Sequence, residues 1–452
     1  MSVTTTLVQW LTSFRLEDLP PWVVGMVKGY LLDALACACI GSGQPWTQKV
    51  AQMVRGMGAQ GPCTVVGFPW TTAPSLSALV NGCAVGGFEF DHALGEGSAH
   101  PSSAVVPAVL AIGQAQHISG ARALLALALG YEAHCRIGLA VGRGVEDERG
   151  FHGPGTNGPL GSAVGAGVAI GLSPQQMTWA LGNAGSHGAG LMAFAQEGAM
   201  TKRLHHGRSA QAGVECVLLA REGFTGPSQV LEGPQGFFHA FSPSPRPEQV
   251  TEGLGTVWRL QGILVKRWPC HASMQGVVEG LVRLRKEGVK ARQVERIRVV
   301  GPPRLLHRHA QQTPQTLLAA QESLPFCCAW ALLGDPEDPW SLSDALLNDP
   351  AYLALAQRVE IEVDAQAFAS PSAAFMGAQV TVETTTGRRH FNAWPFPGAP
   401  GHPLPWEGIL RKFLACAGPL LGKEASQKVV EQVARLEALE DVAPLVGLLA
   451  GR

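Results

Sequence analysis

The sequence predicts a mainly α protein with an α+β part: a discontinuous all-helical domain, residues 1–262 and 398–452, interrupted by a smaller inserted α+β domain, residues 263–397. Three observations carry this. Up to about residue 260 apolar residues recur at spacings of three and four between helix-start and helix-stop signals. After Gly262 short alternating stretches appear, separated by helical runs. From about Pro405 the helical pattern returns. A length of 452 residues accommodates two or three domains and a sizeable core.

Pro20 and Pro21 open the first long helical run, which reaches Ile40 and is stopped by Gly41 and Gly43. Pro101-Ser-Ser leads into a helix over 104–116, and Ser119 caps another over 121–142. Ser173-Pro174-Gln-Gln176 joins a capping box to proline at the first helical position, and its helix runs toward Ala184. A helix over 209–222 is closed by Gly223 as a left-handed stop. Ala, Gly and Leu dominate these segments, and small residues let helices approach closely, so a compact bundle with an oligomer interface is expected. In the insert, 294–299 and 358–363 alternate as half-buried strands do, and 379–383 pairs with 389–394 across Thr386-Gly387. Residues 273–287 and 317–333 read as helices, as do 406–421 and 425–449 in the return.

Composition narrows the function. Lys+Arg number 34 against 35 Asp+Glu, so the basic excess needed to neutralise phosphates is missing and no nucleic-acid partner is expected. The N-terminus lacks a basic segment followed by an apolar one, and the best apolar run, 22–40, carries Lys28 and Asp33. Neither a secretory signal nor a membrane span is expected, which makes a cytoplasmic location the default. The ten cysteines form no C-x-x-C and lie mostly in apolar stretches, as small buried hydrophobes do. Lysine is scarce: there are nine, and none lies between Lys49 and Lys202.

Gly153-Pro-Gly155-Thr-Asn-Gly158 matches the dinucleotide fingerprint literally, but no strand precedes it and no acid follows about 20 residues on. There is no G-K-[ST] loop, H-E-x-x-H or G-x-S-x-G, which disfavours common nucleotide, zinc-protease and hydrolase chemistries.

What remains is a series of basic residues near helix starts. His100 precedes Pro101-Ser102 downstream of the acidic stretch Glu89-Phe-Asp91-His92, and a carboxylate can fix the tautomer of a proton-passing histidine. His152 leads into Gly155-Thr156-Asn-Gly158, where glycines either bare backbone N–H groups to a small anion or permit tight packing. Lys202-Arg203-Leu-His205-His206-Gly207-Arg208 gathers cationic groups ahead of the 209–222 helix, and such clusters bind carboxylate or phosphate. Lys266 and His271 repeat the theme at the domain change. Together they suit abstraction of a proton α to a carboxylate in a small di- or tricarboxylic acid, with cations holding the developing charge.

The segments FHGPGTNGPLGSAVGAG, GLMAFAQEGAMTKRLHHGRSAQAGVECVLLAREGFTGP, VKRWPCH and ESLPFCCAWALL resemble the MmgE/PrpD family, and the likeness covers essentially the whole chain in order. That resemblance implies a helical domain with a smaller α+β lid, an active site between them, a homodimer, and catalysis without metal or organic cofactor. His100 matches the family's H-P-G/S histidine, His152 the G-F-H histidine, Lys202 the lysine of T-K-x-L-H, and Lys266 and His271 the K-x-x-P-x-H pair. Asp91 falls in the acidic D-x-D-D-T-H segment with Glu89 at its first acid. The chain departs from the family at His92-Ala93-Leu94, where Asp-Thr-His is common, so a hydroxyl expected to touch substrate is lost.

By this reading Asp91, His100, His152, Lys202 and His271 are catalytic, and His92, Thr156, Arg203, His205 and Lys266 bind substrate. Three functions stay open: a lyase on a small polycarboxylate, by dehydration or decarboxylation; an epimerase of a dicarboxylate such as iminodisuccinate; and a non-catalytic carboxylate-binding paralogue.

Overall fold

A computed structural model describes residues 2–451. Helices take 59% of the chain and strands 8%, the mainly α composition with an α+β part that the periodicity implies. Two compact units are present. The first comprises residues up to Ala193, Thr201–Ile263 and the stretch from Pro405; the second comprises Phe194–Met200 and Leu264–Leu404.

The first unit contains α1 (Val3–Ser13), α2 (Pro21–Ser42), α3 (Pro45–Gly56), α4 (Pro74–Val85), α5 (Pro101–Gln116), α6 (Gly120–Val141), α7 (Gly153–Ile170), α8 (Pro174–Gly185) and α9 (Thr201–Arg221), with a small antiparallel ribbon of β1 (Cys63–Thr64) and β2 (Thr71–Thr72). Caps act where the sequence places them: Ser119 Oγ accepts from the Arg122 amide, and Ser173 with Gln176 forms the capping box. Buried α7 packs on α5, α6 and α9, and α9 on α4 and α8. Small residues set these crossings. A β-carbon on Gly130 of α6 would lie 2.9 Å from Gly165 Cα of α7, and one on Gly213 of α9 would lie 2.2 Å from Ser162 Cβ. Both α2 and α6 are long and apolar enough to cross a membrane, against the expectation from Lys28 and Asp33, and 78% and 94% of their apolar windows are buried inside the protein.

One boundary moves the chemistry. Helix α9 begins at Thr201, not at Ser209, so the basic residues 202–208 occupy its first two turns instead of preceding it. Gly207 does not break the helix; it marks the crossing with α4, where a β-carbon would sit 2.2 Å from the Leu79 carbonyl oxygen.

In the second unit α10 (Gln275–Lys286) and α11 (Leu324–Leu333) pack against a four-stranded sheet of β3 (Val294–Gly301), β4 (Val359–Val363), β5 (Gln379–Thr384) and β6 (Gly387–Asn392), in the order β4-β3-β5-β6. Only the β3–β4 pair is parallel. Val294, Ile297 and Val299 face the core, while Arg296 and Arg298 pair outward with Glu360 and Glu362. The expected helix over 317–333 is broken before Ser323, whose Oγ caps α11 by accepting from the Phe326 amide.

The chain then returns to the first unit as α12 (Trp406–Leu421), packed on α2, and α13 (Lys423–Ala434). The expected 425–449 helix ends at Ala434, because backbone groups beyond it bond the α5–α6 corner: Gly120 N–H donates to the Leu439 carbonyl (2.8 Å) and Val442 N–H to that of Ile118 (3.0 Å). Among the described residues all ten cysteines are free and buried, and burial pushes the thiols of Cys39, Cys63, Cys83 and Cys216 up to about 12.

Candidate active site

His100 is the N-cap of α5, and Asp91 reaches it from the preceding loop: Asp91 Oδ2 lies 2.8 Å from His100 Nδ1. A carboxylate can only accept, so Nδ1 carries a proton and Nε2 is the nitrogen left for exchange. The His100 side chain is 18% exposed against 2% for Asp91, making it the solvent-reachable member of the pair. Ser103, one turn into α5, donates its hydroxyl to the His100 carbonyl (3.0 Å) and therefore accepts from Nδ1 of His206 at 2.7 Å. His206 is thus fixed with a bare Nε2. Its ring stands edge-on to His100 (centroids 5.4 Å) and to His152 (5.7 Å), in a slot that exists because residue 86 is glycine: a β-carbon there would lie 2.3 Å from the ring.

His152, the N-cap of α7, meets His205 of α9 with their Nδ1 atoms 3.0 Å apart, so one donates and the other accepts. Burial, reinforced by neighbouring histidines and Lys202, holds His152 well below the usual imidazole range. Burial and Lys202 bring His205 down to about 4, and burial brings His206 down to about 3 although Asp91 opposes it. Behind them His134 of α6 donates from Nε2 to Asn157 Oδ1 (2.8 Å), and burial depresses it to about 4. Four imidazoles in this cluster are therefore neutral near pH 7.

Lys202 pairs with Glu89 at 2.7 Å, both side chains buried. Glu89 holds a left-handed φ of 54°, an uncommon conformation for this residue type that costs of order 1 kcal/mol. Arg203 turns inward: its Nε donates to the Gly87 carbonyl (3.0 Å), its guanidinium lies 4.6 Å from the Trp46 ring centroid, and it is 1% exposed. The run 202–208 is consequently a buried lysine–glutamate pair, a packed arginine and neutral histidines, with Arg208 outside, not an open cationic face.

Three expected substrate contacts are placed elsewhere. Thr156 donates its hydroxyl to the Gly153 carbonyl of its own helix (3.0 Å). The glycines of α7 serve packing instead of an anion cradle. The Gly153 amide donates to Glu146 Oε1 (3.1 Å), those of Gly155 and Thr156 donate to the His152 carbonyl, and a β-carbon at Gly153 would lie 1.8 Å from the Ser98 oxygen. His92 is fully buried; its Nε2 lies 3.0 Å from Asp33 Oδ2 and its Nδ1 3.3 Å from the Tyr131 hydroxyl, so its ring belongs to the interior.

In the second unit Lys266 is 1% exposed. His271 caps the turn leading into α10; its Nδ1 accepts from the Ser273 amide (3.3 Å) and lies 2.8 Å from Ser273 Oγ. Its ring lies 4.4 Å from that of His309, a buried histidine the sequence did not single out, which burial depresses to about 4. His206, Ser103 and His309 went unassigned because the neighbours they meet, Ser103 with His206 and His309 with His271, are distant in sequence.

Among the described residues, two side-chain sets bring potential metal-ligand atoms within 4.8 Å of one another: Asp91, His100 and His206, and His271, His309 and Glu322. In the first, Asp91 and His100 Nδ1 already engage each other as a proton-transfer pair does. A surface cavity of about 820 Å³ beside Ser186, Gln229 and Phe241 is lined by no titratable side chain, so proton chemistry does not belong there.

The model of the MmgE/PrpD N-terminal domain matches residues 5–250, and that of the MmgE/PrpD C-terminal domain matches residues 268–437. A cis-aconitate decarboxylase of Aspergillus terreus is 28% identical over 475 aligned residues, spanning 99% of this chain and 96% of the relative. The cis-aconitate decarboxylases of Mus musculus and Homo sapiens are 28% and 29% identical, over 100% of this chain and 94% and 95% of theirs.

Proposed function

This chain belongs to the MmgE/PrpD family, and from that premise we propose that it is a lyase that decarboxylates a small tricarboxylate, cis-aconitate or a close analogue. The observation that carries the reading is the Asp91–His100 pair set among neutral histidines. When His100 takes a proton, Asp91 stabilises the imidazolium through Nδ1–H, and Nε2–H becomes the acid. In the step proposed, the bond to one carboxylate breaks and CO₂ leaves. The bond's electron pair forms a new double bond, and the displaced π pair takes the proton from His100 Nε2. Solvent then reprotonates His100, so the cycle balances without a metal or organic cofactor.

Lys202 holds a substrate carboxylate by exchanging it for Glu89, and His152, His205 and His206 stay uncharged around the pair. Lys266, matched with His271 to the K-x-x-P-x-H pair, is proposed as a carboxylate anchor and His271 as a second acid or anchor. Ala93, buried where the family commonly carries a hydroxyl, suits a substrate without a hydroxyl of its own.

Turnover of cis-aconitate, citrate, 2-methylcitrate and iminodisuccinate in D₂O tests this. The expected product of cis-aconitate has lost CO₂ and gained one deuterium. Loss of water from citrate or 2-methylcitrate would replace decarboxylation by dehydration; deuterium wash-in with no loss of mass would make the enzyme an epimerase. Thermal stabilisation by one acid with no turnover of any would leave a binding protein.

A further inference from the structure

We propose that Lys412 and Asp33 are positioning residues for the Asp91–His100 pair: a buried ion pair, assembled from α12 and α2, that grips the chain on both sides of Asp91. The inference rests on the reading of Asp91–His100 as the proton-transfer pair. Lys412 Nζ donates to Asp33 Oδ2 (3.0 Å), lies 2.8 Å from Oδ1, and donates to the Phe90 carbonyl at 2.7 Å. It also stands 3.9 Å from the Phe90 ring centroid. On the far side of Asp91, Asp33 Oδ2 faces His92 Nε2 at 3.0 Å. The His92 amide donates to Ser102 Oγ in the first turn of α5 (3.1 Å).

Residue 91 is thereby held through the carbonyl before it and through the amide and ring after it. Its carboxylate is delivered to His100, at the head of the same α5 that supplies Ser102. Burial works against the charge on both partners, yet each outweighs it for the other: Asp33 is held below the usual carboxylate range by Lys412 and His92, and Lys412 above the usual ammonium range by Asp33. A buried ion pair is weak evidence for stability, since an apolar replacement of the same volume is often neutral. What it supplies here is direction. Among the described residues, the Cys37 thiol, 3.2 Å away, is what would otherwise fix the carbonyl of Phe90. A misplacement of about 1 Å in such a group costs roughly 10²-fold in rate.

The test compares Lys412→Met, Lys412→Arg and the double variant Asp33→Asn/Lys412→Met, which leaves no uncompensated buried charge and is expected to keep wild-type near-ultraviolet dichroism. Both Met-containing variants should lose ten- to a hundredfold in kcat with KM within about threefold. Lys412→Arg should recover most of the loss. In an Asp91→Asn background Lys412→Met should cost less than twofold more. Histidine-selective NMR, which needs no substrate, should show the His100 titration displaced in the double variant, and so separates this proposal from the identity of the reaction. A folded double variant with unchanged His100 titration overturns it. So does an undiminished loss in the Asp91→Asn background, or a double variant that no longer folds, since the pair would then serve the fold itself.

Discussion

Asp91 and His92 are adjacent, yet one carboxylate meets His100 while the other side chain ends against Asp33 and Tyr131. The acidic segment was legible as a place for chemistry, but which of its members faces which partner depends on α2, α5 and α12 together. Charge was harder still to read. Lys202 stood out by scarcity, and its buried partner Glu89 stood in the same acidic segment, but nothing local pairs residues 89 and 202. Two outcomes follow at this scale. His100→Ala should lower kcat by ~10²–10⁴, the usual worth of one acid–base group, and Asp91→Asn by less, because the imidazole survives; steady-state kinetics on the tricarboxylate decides both. Glu89→Gln removes the carboxylate that competes with substrate for Lys202, so KM should fall severalfold. A KM that rises instead would show that Glu89 is needed to place the lysine.

Helix starts near His100, Ser119 and Ser173 were readable because proline or a capping side chain announces them, whereas the glycine-rich stretch after His152 reads as a loop and is helical from Gly153. The start of α9 was not readable, since a glycine that serves a helix crossing is indistinguishable in sequence from one that ends a helix. The same close packing sets the response to acid. His134 on α6, His205 and His206 on α9, and His309 are depressed to about 4, 4, 3 and 4, against roughly 6.5 in an unfolded chain. Between pH about 6.5 and those values the unfolded chain binds the additional protons, so stability is greatest above that window and is lost as pH falls through it. Each well-buried histidine withdraws up to about 1.4 kcal/mol per pH unit there. Urea midpoints at pH 7.5 and 5.0 should therefore diverge, and His134→Gln should narrow the gap; an equal gap in the variant would exclude His134 as a contributor.

At the scale of the molecule, the change from helical spacing to alternation and back was enough to read an interrupted helical domain, because periodicity reports which faces are buried wherever the chain later returns. It could not reveal that Phe194–Met200 joins the second unit, a segment too short to carry a period. The helical return at about Pro405 was visible in the pattern, but the domain boundary expected at 398 was not where the units divide, because residues 398–402 are still tied to the beginning of the insert: Val265 N–H donates to the Gly398 carbonyl (2.9 Å), and Gly398 N–H to that of His402 (2.8 Å). These bonds also make a test of the architecture possible. With Val265 and Gly398 in contact, the ends at Ile263 and Pro405 lie within about nine residues' reach of ~3.5 Å each. A linker of about twelve Gly and Ser residues replacing 264–404 should therefore close without strain. The remaining helices retain α7 among α5, α6 and α9, and α12 against α2 with the Lys412–Asp33 pair intact. The shortened chain is expected to be strongly helical by far-ultraviolet dichroism and to unfold in one cooperative transition, without activity, since Lys266 and His271 are gone. Loss of cooperativity with helix content retained would mean that the first unit completes its core only in the presence of the second.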